Sequence, residues 1–166
     1  MRLRPIQDND TENIVRWRNS QAIQSQFIFR NTLTEEMHMS WLANEVKTGN
    51  VIQYIIEIIS QNHFIPIGSI YIRDIDVKNE SGELGIFIGE EEYRSKGIGT
   101  LTIKNFLPYC FSLGLHRIFL RVLSKNYIAQ NSYIKAGFLK EGIARDMVYI
   151  DNERQDIIFM SVISDI

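Results

Sequence analysis

Apolar and polar positions along the chain alternate in strand-like stretches separated by stretches of helical spacing, in the order β-α-α-β-β-β-α-β-α-β-β. Residues 2–5 read as a short strand. Asp10 is placed to cap a helix running through Ile14, Trp17 and Arg18. Residues 20–31 read as a loop carrying Phe27, Phe29 and Arg30. Thr34 opens a second helix with Glu35 and Glu36 at its positive end, and Gly49 stops it. Residues 51–59 and 64–72 are strand-like runs joined by Gln61-Asn62, a hairpin signal. Polar residues 74–81 form the next turn, and 82–89 a further strand. Residues 97–113 form a helix ended by Gly114, with Pro108 predicting a kink or tightening near Lys104. Residues 116–123 alternate as a strand, 127–136 form a short helix ended by Gly137, and 138–150 and 155–163 are strands around Asp151-Asn152. Strands joined mostly by hairpins with helices between them predict a mixed-sheet α/β or α+β layer fold.

The chain has 166 residues, which predicts a single domain over residues 1–166 with room for a real core. Lys and Arg number 18 against 20 Asp and Glu, so no basic excess is available to track a nucleic-acid backbone. The single cysteine, Cys110, suits a reducing compartment and reads as a buried thiol on an apolar helix face. The N-terminal residues lack the apolar stretch of a signal peptide, and the run at 54–59, broken by Glu57, is too short to span a membrane. A soluble cytoplasmic protein is the expectation. No metal-ligand spacing is present.

The chemically informative run is Gly85-Ile86-Phe87-Ile88-Gly89, then Arg94-Ser95-Lys96-Gly97-Ile98-Gly99-Thr100. A strand leads through a glycine-containing loop into a helix, whose first backbone N–H groups lack partners and face a positive dipole end. Glycines admit close approach, and Arg94 and Lys96 add charge, which describes a phosphate site. The P-loop pattern is absent, and the dinucleotide pattern fails at Thr102. From this loop alone, a simple strand-to-helix turn is an equal reading.

A second constellation follows a later strand: Asn126, Ala129, Asn131, Tyr133, Lys135, Gly137 and Phe138. Together the two segments resemble the GNAT family of N-acetyltransferases. The pyrophosphate loop Arg/Gln-x-x-Gly-x-Gly/Ala is matched at 94–99. The later Asn-x-x-Ala and Tyr-x-Lys-x-Gly-Phe elements are matched at 126–129 and 133–138. Trp17-Arg18-Asn19, Glu83, Glu141-Gly142, Asp156 and Met160 are similar to the branch holding ribosomal-protein N-terminal, spermidine and nucleotide-aminosugar acetyltransferases.

The resemblance implies a GNAT fold: a mostly antiparallel sheet of about seven strands, splayed between the fourth and fifth, with helices on both faces. It implies acetyl-CoA as donor and direct attack by a primary amine in a ternary complex. The amine could belong to an amino sugar, a polyamine or a protein N-terminus. A non-catalytic acyl-CoA-binding sensor is the alternative. The implied cofactor-binding residues are Ile86, Phe87, Ile88, Arg94, Ser95, Lys96, Gly97, Ile98, Gly99, Thr100, Asn126, Ala129, Asn131, Tyr133 and Lys135. Backbone N–H groups of 86–88 would hold the acetyl oxygen through a bulge that opens the sheet. A cofactor lying between splayed strands would also account for Gly85 and Gly89.

Tyr133 is implied as the acid that protonates the departing sulfur, with ionisation of the phenol expected to give the rate an alkaline limb. A buried tyrosine with a satisfied hydroxyl is the structural alternative. Glu83 is the nearest plausible carboxylate for the amine, as base or as attractor of its cation; a solvent-facing strand glutamate is the other reading. The acceptor is expected between the first two helices, the loop at 27–30 and the last two strands, with Trp17, Asn19, Phe29, Arg30, His38 and Glu83 as contacts. For His38 an ordinary helix-surface histidine is the favoured reading over an acceptor contact. Assembly as a homodimer is left open.

Overall fold

The computed structural model describes residues 1–165. Its elements are β1 (Arg2–Pro5), α1 (Thr11–Asn19), α2 (Gln21–Gln24), α3 (Glu35–Trp41), β2 (Ile52–Ser60), β3 (His63–Asp76), β4 (Ser81–Ile88), α4 (Ile98–Ser112), β5 (Arg117–Leu123), α5 (Tyr127–Lys135), β6 (Leu139–Ile150) and β7 (Glu153–Ile163). The strands form one seven-stranded sheet in the order β1-β2-β3-β4-β5-β7-β6. Every pairing is antiparallel except β4 with β5.

Both hairpin turns read from the sequence are present. Gln61 and Asn62 link β2 to β3, and Asp151 and Asn152 link β6 to β7, all four with positive φ as tight hairpin turns require. The turn expected at 74–81 is shorter, because β3 runs on to Asp76 and β4 begins at Ser81. Asp76 makes the tight turn possible: its carboxylate accepts from the Asn79 N–H at 2.9 Å and from the Asn79 side chain at 2.7 Å.

The layers follow from alternation. Ile56, Ile70, Ile72, Ile118 and Leu120 face α4 and α5, where Ile103, Phe106, Cys110, Tyr133 and Phe138 complete the larger core. Ile55 and Phe87 face the other way, onto Ile14, Trp17 and Ile23 of α1 and α2. Helices therefore cover both faces. Burial pushes the Cys110 thiol up to about 12, so it stays protonated and inert.

Two local expectations are corrected. The segment at 20–31 is not all loop: α2 forms there because Ile23 reaches the core beside Trp17. Asp10 does not cap α1. It is buried, takes the Arg4 guanidinium through two bonds of 2.6 and 2.7 Å, and accepts from the Gln7 N–H at 2.8 Å. α4 spans Ile98–Ser112 with Pro108 inside it.

Candidate active site

β4 and β5 pair over only three positions, Ser81 with Arg117, Gly82 with Ile118 and Glu83 with Phe119. Beyond Glu83 they diverge. The opposite edge of β4 stays paired to β3 without interruption from Glu83 to Ile88, so no bulge at 86–88 opens the sheet. The wedge comes from divergence of the parallel pair alone. Alternate backbone groups of residues 84–88 face the wedge without a strand partner. A cavity of about 400 Å³ fills it, floored by Leu84, Ile86, Phe87, Ile88, Ile103 and Val122.

At one end of this cavity lies the loop into α4. Ser95 and Gly97 have φ of 58° and 77°, a left-handed pair that turns the chain sharply before the helix. The first turn of α4 leaves the N–H groups of Ile98, Gly99 and Thr100 free of helical partners. No atom lies within 4 Å of where a Cβ would stand on Gly97 or Gly99, so a ligand can reach this backbone. Arg94 lines the cavity with its guanidinium engaged by backbone. Its Nε donates to the Ile88 carbonyl at 3.0 Å and its Nη2 to the Gly89 carbonyl at 2.5 Å, pinning the loop to the end of β4.

Tyr133 enters the wedge from α5, beside Leu84 and Val122, with its ring 5.9 Å from that of Phe138. It is buried, and burial, followed by the nearby Tyr71 and Glu83, pushes its phenol well above the usual range. A protonated hydroxyl is therefore available through the whole working range of pH. Asn126 is α5's N-cap: its side chain accepts from the Ala129 N–H at 3.1 Å.

The other end of the cavity is built from charge. Glu83 is buried on the strand between Arg73 and Arg121. Arg121 donates Nε to Oε1 and Nη2 to Oε2, both at 2.8 Å. Arg73 donates Nε and Nη2 to Oε2 at 3.1 and 2.9 Å. Burial alone would raise the carboxyl pKa, but the two guanidiniums outweigh it and hold Glu83 below the usual range. Glu83 is thus an ionised, four-fold bonded anchor, not a free carboxylate poised to take a proton. Arg18 approaches from α1, its guanidinium carbon 3.9 Å from the centroid of Phe27.

Of the residues expected at the cofactor, Ile86, Phe87, Ile88, Arg94, Ser95, Gly97, Gly99, Asn126, Ala129 and Tyr133 line the cavity. Lys96, Ile98, Thr100, Asn131 and Lys135 do not line it. Of the acceptor residues, Phe29 and Glu83 line it. Trp17 is buried and donates to Glu90 at 2.9 Å. Asn19 bonds the Leu33 backbone in both directions, and His38 is buried against Thr11 rather than on the helix surface. Arg30 ties the loop down through the Phe27 and Ser25 carbonyls and an ion pair with Asp151. Gly85 and Gly89 also have another reason. A Cβ there would stand 2.2 Å from the Tyr71 ring and 2.2 Å from the Trp17 ring, so the glycines make room for aromatics.

Arg73 and Arg121 were missed by sequence reasoning. Their signal was a charged position inside otherwise apolar alternating strands, on the same parity as Glu83. Among the described residues no cluster of His, Cys, Asp and Glu is arranged to hold a metal, and no helix is long and apolar enough to cross a membrane.

Comparison with known proteins agrees with this geometry. A family model described as acetyltransferase (GNAT) domain matches residues 1–139. A Methanocaldococcus jannaschii protein of uncharacterized function is 28% identical over 149 residues, 89% of this chain and 30% of its own length. The spermidine N(1)-acetyltransferase of Vibrio cholerae is 33% identical over 92 residues, 55% of this chain and 53% of its own. The putative ribosomal N-acetyltransferase YdaF of Bacillus subtilis is 30% identical over 97 residues, 58% and 52% respectively. The chain thus spans about a third to a half of the length of these curated relatives. Among solved structures, Vibrio cholerae spermidine N-acetyltransferase in complex with CoA and spermine superposes with a TM-score of 0.89 at 24% identity, covering 98% of this chain and 94% of that one. A domain from Methanocaldococcus jannaschii gives 0.81 at 26%, covering 98% and 97%. With the splayed sheet, the open loop before α4 and a family match over most of its length, the chain belongs to the acetyltransferase (GNAT) domain family.

Proposed function

We propose that this protein transfers an acetyl group from acetyl-CoA to a primary amine by direct attack within a ternary complex. The observation that carries the reading is one continuous cavity with free helix-N-terminal amides at one end and the buried Tyr133 hydroxyl in its wall. The donor supplies an activated thioester and a good leaving group. The amides of Ile98, Gly99 and Thr100, on a positive dipole end, suit its pyrophosphate. The unpaired groups of residues 84–88 suit an extended, amide-bearing chain laid along β4, and N–H groups among them suit the negative charge that grows on the carbonyl oxygen.

In the reaction a C–N bond forms as the C–S bond breaks. Tyr133 gives its proton to the departing sulfur; the thiol, at about 8.5, is a stronger acid than the buried phenol, so this transfer is coupled to reprotonation of Tyr133 in the same step. The phenol is restored by the proton that the attacking nitrogen sheds as it becomes the amide, directly or through water. Glu83 acts as the anchor that sets Arg73 and Arg121 at the acceptor end, because its lone pairs are already committed. The lone buried thiol and the use of acetyl-CoA fit a cytoplasmic setting.

The test is release of free CoA thiol from acetyl-CoA across a panel of amines. Turnover that depends on an amine supports the reading. Tight acetyl-CoA binding with no turnover on any amine would instead identify an acyl-CoA-binding sensor.

A further inference from the structure

Three arginines, Arg18 from α1, Arg73 from β3 and Arg121 from β5, border the acceptor end of the cavity, and Glu83 is the one carboxylate that lines the cavity with them. Asp74 lies 3.7 Å from Arg73 Nε but is mostly exposed and does not line the cavity. Glu83 is shared between Arg73 and Arg121, and neither Nη1 group is used in those bonds. Arg18 has no carboxylate partner among the described residues. Its Nε is buried without a hydrogen bond while its guanidinium lies on the Phe27 ring. Burial works against its charge, with the Tyr71 hydroxyl as its nearest support. A half-buried cation without an acid is costly, and an anionic ligand group relieves that cost.

Resting on the acetyl-transfer reading above, we infer that the acceptor is an amine carrying an anionic group, a phosphate or a carboxylate, which Arg18 and the free edges of Arg73 and Arg121 receive. A polycation does not fit this end, because each additional ammonium would meet excess positive charge in a partly desolvated pocket. The same field favours the neutral form of the reacting nitrogen, whose ordinary ammonium pKa is about 10.4. That supplies a nucleophile without calling on Glu83 as base.

The experiment is calorimetric titration of the full chain, saturated with CoA, with matched probes. Glucosamine is compared with glucosamine 6-phosphate, alanyl-asparagine α-amide with alanyl-aspartate α-amide, and spermidine stands apart as the polycation. The anionic member of at least one pair is expected to bind at least 10-fold tighter than its neutral partner and than spermidine, and the pair that responds distinguishes phosphate from carboxylate. Arg18→Gln should reduce that preference to less than 3-fold with CoA affinity retained, and Arg18→Lys should keep most of it. If Arg18→Gln does not fold, the wild-type comparison and Arg18→Lys decide. Equal binding within both pairs, no binding by any probe, or tighter binding of spermidine overturns the inference; a preference that survives Arg18→Gln overturns the role of Arg18. Thiol release from acetyl-CoA is measured in parallel. Preferential binding of an anionic probe without any acetylation sustains this inference and refutes acetyl transfer, whereas preferential acetylation of spermidine does the reverse.

Discussion

Arg121 Nε sits 2.8 Å from Glu83 Oε1, and this contact ties β5 to β4 at the last position where the two strands pair. Glu83→Gln keeps the shape and removes the charge, leaving two guanidiniums without their counter-ion. The expected loss of stability is about 1–3 kcal/mol. That is below the range for fully buried pairs, since the arginine side chains remain 28% and 25% exposed. Denaturant unfolding of both proteins at neutral pH checks it.

The same pair predicts an acid limb of stability. Glu83 and Glu141 are both held below the usual carboxylate range, Glu141 at about 2 by Arg117 and then Ser161. A carboxyl whose folded pKa is depressed contributes fully above its unfolded value of about 4.3 and loses the contribution as pH falls through the folded pKa. Melting temperature should therefore fall between about pH 4 and pH 2. The fall should be shallower in Glu83→Gln, and a wild-type melting curve flat over that interval would contradict the assignment.

Gly99→Glu places a negative side chain in the open space before the first turn of α4, at a position free of left-handed strain. The fold should survive, but acetyl-CoA affinity should drop at least 100-fold. In wild type, acetyl-CoA at 100 times its Kd should add about 2.7 kcal/mol of stability, and the variant should lose that gain. Thermal shift with and without the donor reads both quantities.

Tyr133→Phe removes one hydroxyl and leaves the packing against Phe138 intact. Turnover should fall by about 100-fold, the low end for a general acid because a thiolate leaves readily, while acetyl-CoA binding is unchanged. The buried phenol ionises too high for an alkaline limb of its own, which corrects the expectation drawn from an ordinary tyrosine. Single-turnover rates from pH 6 to 10 should show no fall from Tyr133 ionisation in wild type. A variant with the wild-type rate would remove Tyr133 from the chemistry.

Gly85→Ala brings a Cβ to 2.2 Å from the Tyr71 ring, so the ring must shift. The expected cost is about 1–3 kcal/mol, with weakened acceptor binding because Tyr71 also lines the cavity beside Arg18. Unfolding and acceptor KM measured on the variant test the two effects separately.

The succession of elements and the glycine turn before α4 were legible because they are local. Alternation, Gln61-Asn62, Asp151-Asn152 and the glycines at 97 and 99 each act within a few residues. The arginines around Glu83 were not legible for the opposite reason. Arg73, Glu83 and Arg121 stand on three strands, and only the sheet order makes them neighbours. Trp17, Asn19 and His38 were expected at the acceptor because the resemblance places it between the first two helices. In the fold the Trp17 indole N–H bonds Glu90, the Asn19 amide bonds the Leu33 backbone, and His38 is buried with its Nδ1 against Thr11. Asp10 was read as a cap from its position before α1, whereas Arg4, on the neighbouring strand, claims its carboxylate.

The three-rung joint between β4 and β5 also divides the sheet mechanically. The four strands β1–β4 are laddered to one another, as are the three strands β5–β7, so local opening should spread within each group more readily than across the joint. α4 bridges the two groups beneath, packing Ile103 and Phe106 in a core shared by Ile70 and Ile118. Amide exchange should accordingly show two cooperative blocks, β1–β4 and β5–β7, whose boundary lies between β4 and β5. A ligand bonded along the open edge of β4 would stiffen that boundary, so the two blocks should move toward a common exchange rate when the wedge is filled.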